Sequence, residues 1–280
     1  MFRNILVHIP SERPVRPVID VAVELTLGRR AHLDAVAIGY ESTSAVAMVV
    51  EGGAAAVTSV MEYEQERALE RANAAISVFE VEAKLAKIPY GTRVLAAIPA
   101  DAEETIGALA RLYDLTVVLQ PDSSLSSYDN IIPQGILFRS GGPMLMVPYT
   151  HKGPLDAHHV GIAWDGSRLA ARAVRDALPF LTAAQAVTVI AVNEGRKDVS
   201  EASSDHLVSH LARRGIKARV ERLTADRDDV QSIILSAAAD SNIGLLAMGG
   251  YGHSRLQERI LGGVTRAMFE SMTVPVLMSH

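Results

Sequence analysis

The 280-residue chain has no cysteine, one tryptophan and only 5% aromatic residues. Without cysteine there is no disulfide framework, no thiolate nucleophile and no Cys-ligated zinc, a composition that fits a reducing compartment. An excess of basic charge is also lacking. The formal net charge is −5 with 21% charged residues, which argues against a nucleic-acid partner, since such proteins present a dominant basic face. The locally basic stretch Arg213 to Arg219 reads instead as a solvated helix end and edge strand. No apolar run approaches the roughly 20 residues that a membrane span needs. Met1-Phe2-Arg3-Asn4 leads directly into the apolar Ile5-Leu6-Val7, with no signal-peptide h-region. These absences predict a soluble, cytoplasmic protein without a membrane or nucleic-acid partner. Catalytic signatures are missing too: there is no G-x-x-x-x-G-K-[ST], H-E-x-x-H or G-x-S-x-G. No general base stands at recognisable spacing from a nucleophile, so the sequence names no catalytic residue.

What is present is an alternation of apolar strands and helical patterns, the signature of βαβ units and a parallel sheet. Hydrophobic content of 49% suits strands buried on both faces. The first half reads as strands Asn4 to Ile9, His32 to Ile38, Thr92 to Ala96, Leu115 to Leu119 and Pro143 to Val147. Between them lie helices over Val15 to Leu27, Ser59 to Ala86 and Asp101 to Leu112. Pro148 to His159 is polar and broken by Gly153 and Pro154, which reads as a linker. The order then restarts. Strands are predicted over His159 to Trp164, Val187 to Asn193, Lys217 to Leu223, Ile243 to Met248 and Val274 to Met278, and helices over Ser167 to Leu181, Glu201 to Arg214, Asp229 to Ala239 and Val264 to Met272. The endings match as well: Pro143 to Val147 echoes Pro275 to Met278, and Asp114 to Leu119 echoes Asn242 to Ala247. This internal repeat divides the chain into domains 1–150 and 157–280, each an α/β unit with an open, Rossmann-like parallel sheet.

The most specific local pattern lies near the C-terminus. Gly249, Gly252, Gly262 and Gly263 bracket a short segment between a buried strand and a helix that ends before the last strand. A glycine turn leaving a strand admits a ligand close to the backbone. Glycines just before a helix leave its unpaired N–H groups open to an anion. In this order, G-x2-G-x9-G followed by a small residue, the segment resembles the nucleotide-binding signature of the universal stress protein family. Gly263 stands where that signature carries Ser or Thr, with Thr265 two residues on. The resemblance extends to both halves and implies two tandem open parallel five-stranded sheets with helices on both faces, of the adenine nucleotide alpha hydrolase-like type. It implies ATP, with magnesium, as the ligand, and an internal pseudo-dimer of the two halves; whether two chains pair further as a homodimer is left open.

Open parallel sheets bind ligands beyond the carboxyl ends of their strands, where the strand order reverses. In the second half that places Ala163, Trp164 and Asp165, at the end of its first strand, next to Met248, Gly249 and Gly252 at the end of its fourth. Asp165 could accept from an adenine amino group or a ribose hydroxyl, a role the resemblance supports. A local turn starting the helix at Ser167 would use the same side chain. The resemblance also sets Val192 against the base, and Gly262, Gly263, Val264 and Thr265 against the phosphates. His253 follows the second signature glycine. Trp164 reads as packing more than as a base stack, and His206 and His210, at i and i+4, as a surface pair without a third metal ligand. The first half lacks this equipment: Pro10 stands where Asp165 would be, and Gln120-Pro121-Asp122-Ser123-Ser124 replaces the glycine turn. The sequence therefore predicts one competent and one degenerate nucleotide site. It points to a stress-response or regulatory protein with slow ATP hydrolysis at most. A nucleotide-independent, chaperone-like interaction protein is the main alternative, and an adenylate-handling enzyme of related architecture the lesser one.

Overall fold

A computed structural model describes residues 2–41, 54–195, 200–250 and 263–280. The strands are β1 (Asn4–His8), β2 (His32–Tyr40), β3 (Tyr90–Ala97), β4 (Leu115–Leu119) and β5 (Met144–Val147) in the first half. In the second they are β6 (His159–Ala163), β7 (Ala186–Val192), β8 (Ala218–Leu223), β9 (Leu245–Gly249) and β10 (Val276–Ser279). They form one sheet in the order β3-β2-β1-β4-β5-β10-β9-β6-β7-β8. Each half has the same order, and all pairings within a half are parallel. The halves meet at β5 and β10, which run antiparallel, with Leu145 opposite Leu277, Met146 opposite Val276 and Met144 opposite Met278. Thr116 donates to the Pro143 carbonyl as Leu246 does to that of Pro275, so Met144, Leu145 and Met146 are the counterparts of Val276, Leu277 and Met278. The pairing is thus reciprocal about the Leu145–Leu277 pair, the isologous geometry of a local twofold. What would be two exposed sheet edges close on each other.

The helices are α1 (Arg16–Arg29), α2 (Ala54–Ala86), α3 (Pro99–Ala110), α4 (Ile132–Arg139), α5 (Arg168–Leu181), α6 (Ser204–Ala212), α7 (Val230–Asp240) and α8 (Gly263–Ser271). Two buried clusters, one for each face of the sheet, run across the junction. In one, α1, α2, α5 and α6 contribute Leu25, Phe79, Phe180 and Leu211. In the other, α3, α4, α7 and α8 contribute Ile106, Ile136, Ile234 and Met268. Strand residues alternate between the clusters, Ile5 and Val7 to one and Leu6 to the other, as the period of two requires. Each half therefore places helices on both faces of the sheet.

Two details differ from the sequence reading. Helix α4 was not anticipated, because Pro133 and Gly135 lower its intrinsic propensity; it forms by packing, with Ile132 and Ile136 fully buried. The echo of Asp114 in Asn242 is displaced by two residues. Asp114 donates its N–H to the Asn4 carbonyl as Gly244 does to that of His159, so Asp114 corresponds to Gly244. Among the described residues, no helix is long and apolar enough to cross a membrane.

Candidate functional site

In the second half the strand order reverses between β6 and β9, which are neighbours while their onward connections run to opposite sides. A cavity of about 480 Å³ opens at the carboxyl ends of these strands, within the size range of small-molecule sites. Nine of the twelve residues expected from sequence line it: Ala163, Trp164 and Asp165 after β6, Val192 at the end of β7, Met248 and Gly249 on β9, and Gly263, Val264 and Thr265 at the start of α8. Gly252, His253 and Gly262 lie outside the described residues.

Ile190, Val192, Met248 and Ile234 give the cavity an apolar wall. Arg227, Asp228 and Gln231, at its rim, were not singled out from sequence. The signal existed: they precede or open α7, and an open sheet places the N-terminal ends of its helices beside the carboxyl ends of its strands. Gln231 also donates to the Ser271 hydroxyl at 3.0 Å, joining α7 to the last residue of α8.

Asp165 is exposed on the rim. Its Oδ1 accepts from the Ser167 N–H at 2.9 Å, so the turn-forming use of this side chain is realised. The Ser167 hydroxyl in turn accepts from the Ala170 N–H at 3.1 Å as N-cap of α5. One carboxylate oxygen is thus committed to the turn while the residue still borders the cavity. Trp164 donates its indole N–H to the Ala202 carbonyl at 2.8 Å, which orients the ring while the residue lines the cavity.

The two described glycines of the signature have different physical reasons. A Cβ on Gly249 would lie 2.6 Å from the Ala170 nitrogen and 2.7 Å from the Leu169 carbonyl carbon. Glycine is required there because the N-terminus of α5 crosses the end of β9. A Cβ on Gly263 would meet none of the described residues within 4 Å, and the first turn of α8 lines the cavity through Gly263, Val264 and Thr265.

The equivalent mouth of the first half is filled. Ile9 donates to the Val36 carbonyl as Trp164 does to that of Ile190, which makes His8, Pro10 and Glu12 the counterparts of Ala163, Asp165 and Ser167. Asp129, in the 3-10 turn Tyr128–Ile131, inserts its carboxylate here. Its Oδ2 accepts from the Glu12 N–H at 2.9 Å and its Oδ1 from the Tyr40 hydroxyl at 2.9 Å. The His8 Nε2 lies 3.7 Å from Oδ1 and has no hydrogen-bond partner among the described residues. Burial pulls the His8 imidazole down to about 3, so it is neutral. Burial pushes the Asp129 carboxyl up, opposed by the donors around it, and burial followed by the neighbouring Asp129 charge pushes the Tyr40 phenol up. Arg13, also buried, donates from Nη1 to the Gln120 carbonyl at 2.6 Å and to the Asn130 side-chain oxygen at 3.0 Å.

Residues 157–280 match the model of the universal stress protein family. Among curated proteins no relative matches. Among solved structures, the chain resembles a universal stress protein from Archaeoglobus fulgidus DSM 4304, with a TM-score of 0.70 and 16% identity over 98% of this chain and 95% of that one. It also resembles a functionally unknown protein from Pseudomonas aeruginosa PAO1, with a TM-score of 0.59 and 14% identity over 99% of this chain and 92% of that one. At such identities the likeness concerns the fold.

Proposed function

We propose that this chain, which belongs to the universal stress protein family through residues 157–280, binds an adenine nucleotide in the cavity of its second half. In this reading residues 1–150 and 157–280 form an internal pseudo-dimer with one working nucleotide site, and the ligand is ATP accompanied by magnesium. The observation that carries it is the cavity itself, which joins an apolar slot between β7, β9 and α7 to the first turn of α8. The slot suits a planar base. The positive dipole end of α8 suits a phosphate chain. Asp165 on the rim offers its second carboxylate oxygen to a ribose hydroxyl or base amino group. Among the described residues lining the cavity no nucleophile faces a base, and the event proposed here is binding, with slow hydrolysis at most. A bound nucleotide then acts by stabilising one conformation over another.

Isothermal calorimetry with ATP and magnesium tests the proposal. The expected stoichiometry is near one per chain, and Asp165→Ala weakens binding by about 1 kcal/mol, roughly fivefold, since the contact is exposed. Two sites per chain would overturn the assignment of the first half, and absence of heat would overturn nucleotide binding. A second reading, a nucleotide-independent interaction protein, draws on the Asp165 carboxylate already serving its own turn and on glycine at position 263. The absence of heat would favour it.

A further inference from the structure

The closed mouth of the first half is connected to the open one of the second. In the second half, the Ser167 N–H is satisfied locally by Asp165. Its counterpart, the Glu12 N–H, follows Pro10, which offers no side-chain acceptor, and takes the Asp129 carboxylate instead. An acid from the chain thus lies against His8 and Tyr40, at the position equivalent to the cavity end of β6. The segment carrying it is tightly held: the Asn130 side chain bonds to Asp122 and Leu125, and Arg13 bridges Asn130 to the carbonyl of Gln120.

Gln120 is 2% exposed, and its side-chain amide donates 3.1 Å across the junction to the carbonyl of Phe269, in the last turn of α8. The first turn of that same nine-residue helix, Gly263 to Thr265, is a wall of the second half's cavity. The link has no reciprocal. Gln120 donates to the Val147 carbonyl as Gly250 does to that of Ser279, so the twofold counterpart of Gln120 is glycine, which has no side-chain donor and lies against the Leu137 side chain of α4.

We propose that Asp129 is an internal ligand that keeps the first mouth filled, and that through Arg13 and Gln120 the filled half anchors α8 and thereby sets the affinity of the second half's site. The first half is then a scaffold for its partner's site. A nine-residue helix spans about 13 Å, so fixing its last turn positions its first. The consequence for ligand affinity rests on the nucleotide reading above; the anchoring of α8 does not.

The test is hydrogen exchange of the ligand-free protein. Gln120→Met keeps the volume and removes the donor. Exchange over 263–271 is expected to accelerate about tenfold, with β7 and β8 unchanged, and ATP affinity measured by calorimetry to fall about five- to tenfold. Asp129→Asn, which keeps the shape and removes the charge, is expected to give a smaller change in the same direction. Unchanged exchange over 263–271 in folded Gln120→Met overturns the proposal whether or not ATP binds. If wild type binds no ATP while exchange accelerates as stated, the anchoring stands and the nucleotide reading falls. Should Gln120→Met fail to fold, Asp129→Asn decides by the same measurement, and unchanged exchange in that variant overturns the proposal.

Discussion

After β1 the chain runs through Pro10 and a loop before α1 begins at Arg16; after β6 it passes Asp165 and is helical from Arg168. Arg168 is the counterpart of Arg13, so α5 starts three residues earlier than α1. This difference shapes both mouths. The early start brings the N-terminus of α5 against the end of β9, where Gly249 has no side chain to clash. The late start leaves loop N–H groups free in the first half, and Asp129 comes in to meet them. Two copies of one topology, sharing strand order and a continuous core, thereby reach opposite ends: one mouth open, one sealed by a buried acid. The lesson is that the sheet fixes where a ligand site lies, whereas the first turn after its central strand decides whether the site is available.

The sharpest way to break this comparison is to give the second half the residue of the first. Leu119 ends β4 where Gly249 ends β9, since Thr116 and Leu246 hold equivalent positions. Gly249→Leu would drive a side chain into the backbone of Leu169 and Ala170. Backbone cannot step aside as a side-chain tip can, and overpacking of this kind costs up to ~3 kcal/mol or more. Urea denaturation is expected to show a loss of that size or the absence of a cooperative transition. A variant of wild-type stability would show that the crossing of α5 over β9 does not dictate the glycine.

Acid distinguishes the halves next. His8 titrates at 6.5 in its ordinary state and at about 3 in the fold. Between those values the unfolded chain holds a proton that the native chain refuses. The contribution of His8 is therefore fully present above pH 6.5 and is lost as the pH falls towards 3. The slope is ~1.4 kcal/mol per pH unit. Asp129 works the other way, since its raised folded-state value makes the native chain hold a proton longer, which partly offsets the loss at the acid end. Ala163, the counterpart of His8, does not titrate. Denaturation at pH 6.5 and 4.5 should show wild type losing roughly 2–3 kcal/mol more than His8→Met. Equal losses would mean that the sealed mouth admits water and that the imidazole is not buried neutral.

The repeat was legible in the sequence because it rests on patterns that local chemistry enforces: apolar runs such as Leu115 to Leu119 bury both faces. Of the cavity residues, Ala163, Trp164, Asp165, Met248 and Gly249 followed from the ends of buried strands, whereas Val192, Gly263, Val264 and Thr265 were assigned through the family resemblance. Contributions that depend on distant parts of the chain were not legible. Asp129 reads as one acid in a polar loop until Pro10 leaves the Glu12 N–H in need of an acceptor more than a hundred residues away. Gln120 reads as the lost half of a glycine turn until the junction places it against Phe269. Gly249 was singled out as a point of ligand approach, and the neighbour it accommodates in the structure is a helix backbone.

The smallest expected effect concerns position 263, where the family signature carries a hydroxyl and this chain has none. Gly263 opens α8, its backbone lies outside the left-handed region that only glycine tolerates well, and a Cβ there would meet none of the described residues within 4 Å. Serine therefore enters without strain. At the start of a helix it lowers the entropy cost that glycine imposes, a gain of up to about 0.5 kcal/mol, and it adds a hydroxyl at a residue that lines the cavity. Gly263→Ser is expected to raise the denaturation midpoint slightly and to bind ATP as tightly as wild type or up to roughly fivefold tighter, the worth of one added hydrogen bond. The first half supplies the control, since any such gain must be absent there: Ile131, the counterpart of Gly263 by the match of Pro143 with Pro275, precedes a helix whose mouth Asp129 already fills. Weaker binding in Gly263→Ser would mean that the ligand's path runs closer to this backbone than a side chain allows, and that glycine at 263 widens the site rather than impoverishing it.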